Sequence, residues 1–312
     1  MTWVVRAVAA LGILVVGWCC LTAWSAIVHA HPAYPILLAA TLAGSVLVLL
    51  RSLRSRPPAK GWRLAVRIVL TVLGAVWIGL IFWLCPLGAV EPALGAMDSD
   101  AAVTVIESPT QIVMTPTGEA SSTGVFFQPG AKVDARAYAA VLRPLAEAGF
   151  TVVIPKQPLG IAFLASGAFA SAQAANPQIT NWVVGGHSLG GTVAAMDAQA
   201  HDRDTSAPVS CLLLYASYPA SDMSTSLSSG VLSISAGNDG LATPADIEAS
   251  KANLPSSSEF LVIDGAVHAF FGDYGTQSGD GIPTISQDTA RAQISAASLD
   301  FVTSCADRAP AA

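Results

Sequence analysis

The sequence predicts an α/β domain, a mostly parallel sheet with helices on both faces, carried behind three transmembrane helices. Three observations point there. First, charge and hydropathy are segregated: seven of the 15 basic residues and none of the 21 acidic ones precede Glu91. Second, from residue 103 onward short β-branched runs alternate with Ala-rich or amphipathic ones, the pattern of a parallel sheet with crossover helices. Third, residues 182–200 read as a strand, a tight turn and a helix, with Gly186-His187-Ser188-Leu189-Gly190 at the turn.

The front is uncharged in three stretches. Ala7–Val28 runs for about 22 residues, Pro32–Leu50 for about 19 and Ile68–Val90 for about 23, each long enough to cross a bilayer. Pro32 and Pro35 make the first turn of the second span irregular. Trp24, Tyr34, Trp62 and Trp83 sit near the ends, where interfacial aromatics belong. Positive charge concentrates in the loop Arg51–Arg67, whereas the loop His29–Pro35 has no Lys or Arg. The positive-inside rule puts the basic loop in the cytoplasm, with Arg6 and the N-terminus beside it. The third span then runs outward. The expectation is a multi-pass protein of the cell membrane: a membrane domain over residues 1–95, tether included, and an extracytoplasmic domain over 96–312. A competing reading makes residues 1–30 a signal peptide ending Val28-His29-Ala30, which also leaves the rear outside. No span carries an ionisable residue that would mark a transport path, so the front reads as an anchor.

The whole chain is 53% hydrophobic and 12% charged, with a mean hydropathy of +0.56, too apolar for an ordinary soluble protein. The rear, about 220 residues, suffices for one core. Its acidity argues against nucleic acid. No C-x-x-C or His/Cys cluster suggests a metal, and no cofactor is expected.

Along the rear, Glu91–Ser99 reads as a short tether. Val103–Glu107 and Gln111–Thr115 read as an opening hairpin. Gly124–Phe127 is a buried strand ended by Pro129-Gly130, and Asp134 is placed to cap a helix stopped by Gly149, with Pro144 a candidate kink. Thr151–Ile154 is the next strand. Gly160–Ala175 reads as an Ala-rich helix closed by Asn176-Pro177. After the 182–200 junction come strands at Val209–Tyr215, Val231–Ser235 and Phe260–Ile263. A helix follows Pro244, and a C-terminal helix covers Gln287–Thr303.

The turn at Ser188 carries the chemistry. In G-x-S-x-G the serine sits on a turn so tight that side chains two before and two after would collide, hence Gly186 and Gly190. The turn raises the serine hydroxyl at the carboxyl edge of the sheet and aims the Leu189 N–H at the same point. A serine hydroxyl is a poor nucleophile until a base takes its proton. His268 follows the last strand and Asp239 follows the strand before it, at the same edge, in the chain order Ser, Asp, His expected of such a site. Of the other histidines, His29 and His31 lie in the membrane hairpin, His187 is locked in the turn and His201 ends a helix. Asp222 is the rival acid, Asp264 is read as a strand-end cap, and Asn-Asp-Gly at Asp239 is also a plain turn signal. The second oxyanion donor should come from the loop after Phe127. Pro129 has no N–H, so Gly130 or Ala131 must supply it. Lys156 and Gln157 follow a strand and could line a pocket, although a lone Lys there is more often solvated; both are left outside the candidate set.

The stretches FFQPGAKVDARAYAAVLRPLAEAGFTVVIP, GGHSLGG, AGNDGLATPADI and GAVHAFFGDYGTQSGDG resemble the α/β-hydrolase superfamily, especially its compact bacterial membrane-attached or exported members. They lie between Val125 and Gly281 in the expected order. The resemblance implies an α/β-hydrolase fold with Ser188, Asp239 and His268 as triad and with Ala131 and Leu189 as oxyanion donors. Pro129 stands where many relatives carry a histidine, a departure from the pattern. Only about ten residues separate Pro219 from Ser229, too few for a large lid, which predicts an open site and short-chain or accessible acyl substrates. Cys211 opens a strand and Cys305 ends the last helix at the opposite edge; outside the cytoplasm they could pair, or both could be buried thiols. The function expected is a membrane-anchored serine hydrolase acting on a small or lipid-like ester or thioester. Transfer of the acyl group to an envelope alcohol and a non-catalytic envelope-binding module are the alternatives.

Overall fold

The computed structural model describes residues 2–54 and 60–308. The middle of the basic loop therefore lies outside the described residues. The front folds as α1 (Thr2–Thr22), a break at Ala23, α2 (Trp24–His29), α3 (Ala33–Leu53) and α4 (Trp62–Trp83). The three long helices are each apolar and long enough to cross a membrane. Both α3 and α4 pack on α1, and Trp77 Nε1 donates to Thr41 Oγ1 across α4 and α3 at 3.1 Å.

Two boundaries differ from expectation. The helix of the third span starts inside the basic loop at Trp62 and stops at Trp83, well short of Val90. Pro86 explains the stop: it has no N–H to donate and disfavours helical geometry at Cys85. The remaining apolar residues dock on the rear domain instead. Leu87 donates its N–H to Lys132 O at 2.8 Å, and its carbonyl accepts the Asp134 N–H at 2.9 Å. Val90 donates to Asp273 O at 2.9 Å. The expected tether is likewise part of the core, with Ala93 fully buried. Arg143 donates to the Ala96 and Asp98 carbonyls at 2.7 and 2.9 Å. A cut near residue 95 thus falls inside a packed segment.

The rear is an eight-stranded sheet in the order β1-β2-β4-β3-β5-β6-β7-β8. The opening hairpin pairs β1 (Val103–Glu107) with β2 (Gln111–Pro116), and β2 runs antiparallel to β4 (Thr151–Pro155). From β4 onward the pairings are parallel: β3 (Thr123–Gln128), β5 (Asn181–His187), β6 (Val209–Tyr215), β7 (Gly230–Ala236) and β8 (Glu259–Ile263). Strands β3, β4 and β5 are buried throughout, as continuous apolar runs covered on both faces should be.

Asp134 caps a 3₁₀ turn, accepting the Arg136 N–H, and α5 (Ala139–Glu147) follows. It packs against α9 (Gln287–Asp307) on one face. On the other face lie α6 (Ala168–Ala175) and α7 (Leu189–His201), whose Phe169, Ala194 and Ala198 share a core with Phe126 and Trp182. Pro244 opens the short α8 (Pro244–Ser250), capped by Thr243. Only the second half of the helix expected over Gly160–Ala175 forms, as α6. Two 3₁₀ turns, Pro158–Gly160 and Ala162–Ala165, replace its first half, and Gly167 in the left-handed region separates them from α6. Between Pro219 and Ser229 there is no helix or strand, as expected of a fold without a large lid. Cys211, on β6, and Cys305, near the end of α9, form a disulfide across 94 residues of chain.

Candidate active site

Ser188 sits between β5 and α7 with φ 52 and ψ −125, a strained left-handed-side backbone for a residue with a Cβ. The neighbouring backbone leaves no room for side chains at the flanking glycines. A Cβ on Gly186 would come within 2.5 Å of the Gly190 carbonyl carbon. One on Gly190 would lie 2.2 Å from Gln128 O and 2.3 Å from Pro129 O. The glycine spacing is therefore steric, and the same crowding presses the loop after β3 against the start of α7.

The candidate base and acid meet at the carboxyl edge. His268 Nδ1 lies 2.8 Å from Asp239 Oδ2, with both side chains almost wholly buried. The other carboxylate oxygen of Asp239 accepts the N–H groups of Leu241 at 2.7 Å and Ala242 at 2.8 Å. Those two bonds fix the carboxylate plane and, through it, the ring. Ser188 is partly exposed, and among the described residues its hydroxyl makes no hydrogen bond. The ring of its chain neighbour His187 lies 4.5 Å from the His268 ring, centroid to centroid. The rival acids are elsewhere: Asp222 is exposed and accepts the Ser224 N–H at 2.9 Å, and Asp264 is exposed.

In the loop after β3, Gly130 and Ala131 differ in how their N–H groups are used. The Gly130 N–H is already used, donating to the Tyr138 hydroxyl at 2.9 Å. Among the described residues, the N–H groups of Ala131 and Leu189 carry no acceptor. The Tyr138 hydroxyl lies 2.8 Å from His187 Nδ1. The one phenol oxygen thus bonds both the Gly130 N–H and the His187 ring. Burial pushes the His187 imidazole well below its ordinary range, and the His268 ring adds to this, while the His268 main chain acts in the opposite sense. His187 is thus a neutral, buried brace under the base.

Residues outside the candidate set support this site. Gln157 Nε2 donates to Pro129 O and to Gln128 Oε1, both at 3.0 Å, which pins the loop carrying Ala131 from below. Gln128 in turn donates to Asp197 at 3.4 Å. Burial raises the Asp197 carboxyl from its ordinary 3.8 to about 6, with Gln128 opposing. Asp280 joins the loops of Asp239 and His268: it accepts the N–H groups of His268 at 3.1 Å, Ala269 at 2.8 Å and Gly240 at 3.3 Å. Lys156 corrects the expectation of a solvated side chain. It is buried, 2.6 Å from Glu107 Oε1, and the same oxygen meets His29 Nδ1 at the end of α2 at 2.8 Å. Burial works to raise the Glu107 carboxyl, but Lys156 and His29 outweigh it and hold it below its usual value. Lys156 and Gln157 left a sequence signal, two polar side chains just past a buried strand. Among the described residues no group of three or more His, Cys, Asp or Glu could hold a metal ion.

A model of the alpha/beta hydrolase family matches residues 124–292. No curated protein matches the sequence. Among solved structures, an alpha-beta serine hydrolase homologue from Coxiella burnetii aligns with a TM-score of 0.43 at 17% identity, covering 64% of this chain and 98% of that one. Est1E from Butyrivibrio proteoclasticus aligns with a TM-score of 0.47 at 12% identity, covering 65% of this chain and 99% of its own. The family match takes in more than half of the chain, from β3 into α9, with Ser188, Asp239 and His268 inside it, and the chain belongs to the alpha/beta hydrolase family.

Proposed function

We propose that the protein is a membrane-anchored serine hydrolase that cleaves carboxylic esters or thioesters through Ser188, His268 and Asp239. The observation that carries this reading is the buried 2.8 Å bond between His268 and Asp239, made at the sheet edge where the turn holds Ser188. Family membership supports hydrolase chemistry. His268 takes the Ser188 proton as the hydroxyl oxygen attacks the acyl carbon, and Asp239 stabilises the imidazolium. The N–H groups of Ala131 and Leu189 receive the oxyanion. Collapse breaks the bond to the alcohol or thiol, which leaves with the proton from His268. Water, deprotonated by His268, then attacks the acyl-serine and releases the acid. Catalytic hydrogen bonds are often long in a resting site and tighten with substrate, which suits the unbonded Ser188 hydroxyl.

The three long apolar helices and the basic loop support an integral protein with its rear domain outside the cytoplasm. The Cys211–Cys305 pair supports the same side, because such bonds persist in oxidising compartments. The test is labelling of the purified full chain by a fluorophosphonate probe: wild type reacts, and Ser188→Ala does not. Persistent labelling of Ser188→Ala would remove the assignment. With an ester substrate and an added alcohol acceptor, free acid remains the main product.

A further inference from the structure

The carboxyl edge that bears Ser188 is also the edge on which the helical front is docked. Glu107 at the end of β1, the loop after β3 and the segment after β4 all touch it. Lys132 donates to Trp83 O at the end of α4 at 3.0 Å and stacks its ammonium over the Trp83 ring at 4.5 Å. Lys132 is the chain neighbour of Ala131. Arg136 donates to Ser25 Oγ of α2 at 2.9 Å. Leu159 and Ile161 pack into the cluster formed by Val16, Cys19, Tyr34 and Ile81 of the membrane helices. A crevice lined by Tyr34, Leu84 and Pro86 on the helical side, and by Pro129, Lys156 and Gln157 on the other, marks this junction.

Beyond the junction the rim of the site is apolar. Phe163 and Leu164, two and three residues past Ile161, are 49% and 53% exposed, and their 3₁₀ turn packs against α7. Tyr218 after β6, Leu241 after β7 and Ile282 after β8 are also exposed, Ile282 at 83%. Apolar side chains thus stand exposed in the loops after β6 and β7 and in the segment after His268. From Gln157 to Met196, across the rim and the serine turn, there is no Asp, Glu, Lys or Arg. Such surface is unfavourable next to water, and it is continuous with helices apolar enough to sit in lipid.

We infer that the catalytic edge faces the bilayer and that the substrate is an acyl ester resident in the same membrane, reaching Ser188 sideways over Phe163 and Leu164. This inference rests on the serine-hydrolase reading and departs from the short-chain expectation drawn from the missing lid. A bilayer supplies the cover that a lid would otherwise provide.

The full chain, with active sites counted by fluorophosphonate, is reconstituted in phosphatidylcholine vesicles. A dioleoylglycerol bearing a dye–quencher pair is placed either in the same bilayer or in separate protein-free vesicles, and water-soluble umbelliferyl acetate is assayed alongside. The expected result is turnover at least tenfold faster when ester and protein share a bilayer. At equal active-site count, Phe163→Ser with Leu164→Ser should lower that rate at least fivefold. Equal rates in the two arrangements would overturn the inference. So would cleavage of the acetate without the lipid ester, or a double variant with an undiminished shared-bilayer rate. If the probe labels nothing and neither ester is cleaved, the hydrolase reading itself falls and the inference with it.

Discussion

The Tyr138 hydroxyl accepts the Gly130 N–H and bonds His187 Nδ1, so one oxygen holds both the loop of Ala131 and the ring beside His268. Burial raises the phenol well above its ordinary range, so it stays protonated. Tyr138→Phe would leave two buried polar groups unpaired, each costing about 1–3 kcal/mol. The expected outcome is a lower Tm and a kcat reduced roughly tenfold or more, with Ser188 still labelled; steady-state kinetics and thermal unfolding check it. Asp197 gives a pH-dependent prediction. Its folded value near 6 lies above its ordinary 3.8, so ionisation disfavours the folded state. The cost is absent below about pH 3.8, grows as pH rises towards 6, and is fully present above that. Asp197→Asn should therefore stabilise the protein by about 1–2 kcal/mol near pH 8 and leave it unchanged near pH 4, read as Tm at the two pH values. Ser188, Asp239 and His268 could be read from the sequence because each follows an apolar strand. Tyr138 and Asp280 could not, since their partners lie far off along the chain or in another part of the fold.

Strands β3 to β8 were legible because continuous apolar runs bounded by Gly, Pro or Asp have few other readings. The segment after β4 was not: its Ala content favours helix, yet Leu159 and Ile161 are drawn to the membrane helices, and helical geometry yields to that contact. The stretch from Leu84 to Met97 was read as span and tether because periodicity carries no sign of a partner. Its bonds to Lys132, Asp134 and Asp273 make it a piece of the hydrolase core. A fragment beginning at residue 98 should consequently be less stable than one beginning at residue 84. Three lost main-chain bonds at about 1 kcal/mol each, plus the vacated Ala93 site, give at least about 3 kcal/mol. Parallel urea titrations of the two fragments measure the difference, and equal midpoints would return this stretch to the role of a linker.

For the molecule as a whole, the two parts are joined by side-chain and main-chain hydrogen bonds at the loops that hold the candidate site. Lys132 ties the loop of Ala131 to the end of α4, and the Val90 N–H reaches Asp273 in the segment that begins with His268. Arg291 and Gln287 of α9 grip the same Asp273 at 2.7 and 3.0 Å, so the segment is held from two sides.

The early end of α4 at Trp83 makes that helix a rod whose tip rests on the loop of Ala131. A rod in lipid leans when the hydrocarbon layer is thinner than the rod is long, at a fraction of a kcal/mol per Å. Host lipids with shorter acyl chains should thus shift the tip and change kcat on a soluble ester, while the same chain in detergent shows one fixed value. Membrane thickness would then act as a setting on the chemistry, with α4 as the lever.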